Sequence, residues 1–128
     1  MNLAGLFMSY LKQKYAQFLD TIIKANSVWV LKSAEGYLQV ASDRFAEVEV
    51  IPFFSDQAHA SAVASSLDDE YVPEQLSLTE CIEDWWPSME ADNVWVGVDF
   101  DEALEGLEIE AWQVLDDVLS RLPVDRDH

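Results

Sequence analysis

Asp99, Asp101 and Glu102 cluster around Phe100, directly after the apolar run Val94 to Val98. Carboxylates at alternate positions of a loop suit a hard cation held through oxygen. On that chemistry the three are candidate metal ligands of a small hydrolase or metal-dependent enzyme. The twelve-residue calcium loop is absent, because no glycine occupies its sixth position. The plainer reading is an acidic loop that tolerates cations. Asp68-Asp69-Glu70 is a weaker run of the same kind. His59 and Cys81 are the pair that a thiol nucleophile and its base would require. No local spacing brings them together, and a buried thiol is inert. Paired carboxylates could serve glycoside hydrolysis, but 25 acids in 128 residues supply such pairs by chance.

Two glutamate pairs carry a different chemistry. Glu47 with Glu49, and Glu108 with Glu110, each sit two residues apart in strand-like segments. Alternation puts each pair on one face, with carboxylates roughly 6.6 Å apart along the chain. Four like charges on one sheet face would form a contact surface for a basic protein. A regular carboxylate array could also imitate a nucleic-acid backbone and block a DNA-binding protein. Trp86, beside Glu83, Asp84 and Glu90, resembles an aromatic anchor with an acidic rim. A partly buried Trp86 filling a helix kink at Pro87 is the competing reading.

The charge distribution frames these candidates. From Phe45 to Ser120 there is no lysine or arginine, against 20 Asp and Glu residues. Residues 1–44 hold five basic and three acidic residues, and the net charge is −18. Such a surface disfavours duplex nucleic acid and anionic membranes and favours basic proteins. It also keeps a protein soluble with no partner at all. Half the residues are hydrophobic and 15 are aromatic, so the acids decorate a folded body. The length fits one domain with a core that needs no metal or disulfide. The single cysteine forms no internal disulfide or thiolate cluster, and a reduced, cytoplasmic setting is expected. No signal peptide or membrane span is read, and with no phosphate-binding glycine loop the expected cofactor set is none.

These residues must be positioned by ten elements. An amphipathic helix is expected over residues 3–24, carrying Lys12, Lys14 and Lys24. Strands follow at 28–32, 37–41 and 46–54, the first two as a hairpin. Ser55-Asp56 caps a small-residue helix from Gln57 to about Ser66, with Ser55 as acceptor. A short strand spans 74–78. Ser77 and Glu80 have capping-box spacing for a helix with Leu78, Ile82, Trp85 and Met89 inward, kinked or ended near Trp85 by Pro87. Strands at 94–98 and 107–110 precede a helix from Ala111 to Leu122. Gly97 predicts a bulge or a close approach. The order α-β-β-β-α-β-α-β-β-α reads as α+β: a single mixed, largely antiparallel sheet with helices packed mainly on one face.

Val28-Trp29-Val30-Leu31, Val50-Ile51-Pro52-Phe53-Phe54-Ser55-Asp56, Trp85-Trp86-Pro87, Val96-Gly97-Val98 and Gly106-Leu107-Glu108 together resemble the small bacterial proteins grouped as domain of unknown function 2750. The resemblance covers about residues 15–120 and implies no activity or catalytic residue. The strand-then-Ser-Asp-helix passage is more distantly similar to the SseB-type fold, on fold order alone. The expected organisation is a helical extension over 1–14, one domain over 15–122 and a frayed tail over 123–128. The expected function is non-enzymatic contact with a basic protein partner, with no nucleic acid and no membrane bound. The metal-dependent enzyme and the nucleic-acid mimic stand as alternatives.

Overall fold

A computed structural model describes residues 3–68 and 70–122. Asp69 and the expected frayed tail lie outside the described residues. The elements are α1 (Leu3–Ala25), β1 (Ser27–Ser33), β2 (Gly36–Tyr37), β3 (Val40–Ala41), β4 (Glu49–Phe53), α2 (Gln57–Ser65) and β5 (Val72–Ser77). A helical run then passes through α3 (Leu78–Glu80), a π-helical turn (Cys81–Trp85) and α4 (Trp86–Ala91). The chain closes with β6 (Val94–Val98), β7 (Leu107–Glu110) and α5 (Ala111–Arg121).

The fold is α+β, but the strands form two sheets, not one. A three-stranded sheet has the order β2-β1-β5, and a four-stranded sheet has the order β3-β4-β6-β7. All pairs are antiparallel except β4 with β6. Among the described residues one backbone bridge joins the sheets, where Trp29 and Phe54 exchange two 2.8 Å bonds. The expected strand at 37–41 is where the division occurs. Tyr37 pairs with β1, whereas Val40 pairs with β4. Leu38 between them is buried and still bonds to Leu31, so the chain is drawn across from one sheet to the next.

Alternation along β4 feeds two cores. Ile51 and Phe53 point into the larger one, with Phe18, Leu19 and Ile22 of α1, Trp86 and Met89 of α4, and Val114 and Val118 of α5. Val50 and Phe54 point into the smaller one, under Ala60, Val63 and Ala64 of α2. The alanines of α2 let that helix sit close. Three of the four helical segments therefore share one face. On it, Tyr15 donates a 2.6 Å bond to Asp117 of α5. Burial, then that bond, pushes the Tyr15 phenol well above its ordinary value.

Pro87 does not end the helical run. A proline removes an N–H and collides with the carbonyl four residues earlier. The turn before it widens instead, and Trp86 N–H bonds to the carbonyl of Cys81, five residues back. The extra residue rotates everything after it. The buried positions become Leu78, Cys81, Trp86 and Met89, with a spacing of five across the widened turn where a regular helix would have three or four.

Candidate functional site

That rotation shapes an apolar concave surface beside the helical run. Trp85, expected inward, turns half-outward, and Trp86 turns fully inward. Trp86 is therefore not an exposed anchor. Its indole packs near Phe53 and its N–H has no acceptor among the described residues. Trp85 becomes the wall of a groove of about 300 Å³, lined by Gln39, Ile51, Asp84, Trp85, Ser88, Met89, Asp92 and Val94. The helical residues fall at 84, 85, 88, 89 and 92, the pattern of one face. Ile51, Met89, Trp85 and Val94 make the floor and wall. Asp84, Ser88 and Asp92 stand exposed along the rim.

The wall is braced. The Tyr37 ring meets Trp85 edge-on at 4.7 Å, and Phe53 meets it from below at 6.0 Å. Tyr37 donates a 2.5 Å bond to Glu74, which raises the phenol's pKa. Lys32 lies 3.7 Å from Glu74 and 5.1 Å from the centre of the Tyr37 ring. That is the one side-chain ion pair among the described residues. The rim aspartates have no such counter-charge there.

The four glutamates do not form an array. Glu47 lies before β4, in a turn with φ of 63°, so it is not in alternation with Glu49. Glu108 is 7% exposed and accepts a 2.5 Å bond from Ser42 Oγ and another from the Asp43 N–H. Ser42 Oγ in turn accepts from the N–H groups of Arg44 and Phe45. Glu108 is thus the anchor of the turn that carries Glu47. Glu110 accepts from the Trp112 indole at 2.7 Å. Glu49 lies in β4 on the face that Ile51 turns to the larger core. It is exposed and pairs with Val94, which sets it near the groove. The four carboxylates therefore do not line one solvent-facing sheet face.

The Asp99 loop is also committed to the fold. Asp99, 8% exposed with φ of 44°, accepts from the Ser55 N–H at 2.8 Å and from Ser55 Oγ at 2.9 Å. This corrects the expected cap of α2. Asp56 accepts from the His59 N–H, while Ser55 is turned towards Asp99. Asp101 accepts from the N–H groups of Ala103 and Glu105, closing its own loop, and Glu102 is exposed beyond it. Among the described residues no group of three or more His, Cys, Asp or Glu is placed to hold a metal ion. His59 Nε2 is 2.8 Å from the Phe100 carbonyl, with its ring against Phe54 in the smaller core. Cys81 is buried in the larger core, where desolvation pushes its thiol up to about 12. The two residues lie in different cores.

Fold and groove together define an α+β domain that carries an apolar cleft with an acidic rim. The chain belongs to the DUF2750 family, described as proteins of unknown function, whose model matches residues 15–118. No curated protein and no solved structure matches, and the SseB-type likeness is not shown. No described helix is long and apolar enough to cross a membrane.

The groove was missed because regular helical periodicity put Trp85 inside. The available signal was the Trp85-Trp86-Pro87 sequence. A proline following two tryptophans within a helical stripe marks a place where the register can change.

Proposed function

We propose that the domain is a non-enzymatic contact module whose ligand is a basic protein segment. The segment offers an apolar side chain to the Ile51, Trp85, Met89 and Val94 floor and flanks it with lysine or arginine. The observation that carries this reading is an apolar groove rimmed by Asp84 and Asp92, with Glu49 nearby, whose lining apart from Gln39 falls in the 45–120 stretch that has no lysine or arginine. Glu47 and Glu110 extend the acidic surroundings, whereas Glu108 and Trp86 support the fold. A reduced cytoplasmic setting suits this reading.

Charge complementarity sets the order of events. Acidic rim groups accelerate encounter with a basic partner, and the buried apolar anchor holds it. The test is a titration of the labelled protein with a synthetic peptide carrying leucine between arginines, followed by amide shifts. The expected result is shifts confined to the lining residues and affinity that falls as salt rises. Reversing Asp84 and Asp92 to lysine removes the binding. Shifts spread evenly over the acidic surface, or affinity indifferent to salt and to these substitutions, would leave the acids as solvating groups only.

A further inference from the structure

We infer that the first half of α1 is a self-association arm, and that a second copy of this arm covers its exposed apolar face. Residues 3–10 are all exposed, although the sequence there is mostly apolar. Leu3, Leu6, Phe7 and Tyr10 are 77%, 52%, 60% and 56% exposed. Their spacing of three, one and three puts them on a single helix face. The centre of that face differs from the one the body uses, although Phe7 at its edge also lines a cleft with Met8 and Leu11 beside Arg44, Gly106 and Leu107. At roughly 100° per residue, that centre is turned about a third of a turn from Phe18, Leu19 and Ile22, which pack into the core. The family match starts at residue 15, where the arm meets the domain.

Charge indicates the occupant and its direction. Residues 3–14 contain Lys12 and Lys14 and no acid, so two arms meet without burying a carboxylate. A parallel pair would oppose Lys14 to Lys14 and press two strongly acidic bodies together. An antiparallel pair places Leu3 against Tyr10 and Leu6 against Phe7 of the second copy, a self-complementary two-fold contact. It also separates the two Tyr15 positions by roughly 25 Å along the axis, at about 1.5 Å per residue. That exceeds the Debye length of about 8–10 Å in ordinary salt, so the bodies barely repel. An anionic membrane offers no such relief to a chain of net charge −18. The four side chains hide on the order of 400 Å² per copy, which places the dimer in the weak, transient class.

Sedimentation equilibrium of the full chain over about 1 to 500 μM tests this. A monomer–dimer equilibrium with a dissociation constant in the micromolar range, tightening as salt rises, is the expected result. Phe7→Asp should weaken it about thirtyfold, the loss of one aromatic anchor. Because Phe7 also lines the cleft beside Arg44 and Leu107, Leu6→Asp, which lies outside it, should weaken the dimer likewise, and circular dichroism should show its melting transition unchanged. The Asp84 and Asp92 reversals, which disable the proposed groove contact, should leave the dimer intact, so the two proposals fail separately. The inference is overturned by a monomer at every concentration or by a dimer indifferent to Phe7→Asp. Flotation of a monomeric wild-type chain with neutral phosphatidylcholine vesicles would also overturn it, assigning the face to lipid.

Discussion

Replacing Gly97 by alanine tests how the smaller core is closed. Gly97 lies in β6, and the Phe100 ring folds back over it. A Cβ at Gly97 would stand 2.6 Å from Cζ and 2.7 Å from Cε1 of that ring. Carbon atoms in contact sit about 3.5–4.0 Å apart, so the ring must retreat by roughly 1 Å. Phe100 is 1% exposed and packs in the same cluster as Val50, Phe54 and Val63. On its other side it also closes on Gly106, where a Cβ would be 2.9 Å away. Overpacking of this kind costs about 1–3 kcal/mol. Against that, alanine in a strand is worth about 0.5–1 kcal/mol over glycine. Overpacking wins, leaving a net loss of about 1–2 kcal/mol. At roughly 4 °C per kcal/mol for a chain of this size, the melting temperature should fall by about 4–8 °C. Urea denaturation should show a lower midpoint with an unchanged slope. Phe100→Leu shortens the obstructing ring, so in the double variant the two losses should add to less than their sum. A Gly97→Ala protein as stable as wild type, or more so, would refute the argument.

Three further outcomes follow from where the structure places Asp99, the acidic loop and Cys81. Asp99→Ala should cost about 2 kcal/mol, because it strips the Ser55 N–H and hydroxyl of their acceptor, and Asp99→Asn should cost less. Millimolar calcium, magnesium or manganese should leave the wild-type melting temperature in place; a rise of several degrees would restore the metal-ligand reading of Asp99, Asp101 and Glu102. Cys81 should resist an aromatic disulfide reagent at pH 8 in the folded protein and react on unfolding. Its folded pKa of about 12 lies above the ordinary 9.0, so the folded state holds the proton more tightly. The associated stability is complete below pH 9 and is lost as pH rises towards 12. Rapid reaction at pH 8 without unfolding would show the thiol to be accessible.

The order and type of the elements were legible in the chain because they depend on local pattern. Ser77 and Glu80 form the reciprocal capping box that their spacing announces. The apolar run Val94 to Val98 became a buried strand, and Gly97 marked a close approach. Leu107 and Ile109 pack against the core as alternation requires. Local pattern also separated the acidic body from the lysines of the first helix.

Tertiary structure decided which of those residues face solvent and which face each other. Glu108 and Glu110 read alike in sequence, yet Glu108 is buried because Ser42 and Asp43 arrive from a strand connection 65 residues away. The division into two sheets depended on Leu38 being drawn into the smaller core, which no alternation in residues 37–41 encodes. The exchange of Trp85 and Trp86 came from one widened turn ahead of Pro87. A proline signals that a hydrogen bond is missing, but the packing of the whole helix chooses between a break and a rotation. The acids themselves were countable from the start. Their division into anchors, loop closures and a groove rim arose because burial is set by neighbours distant in the chain.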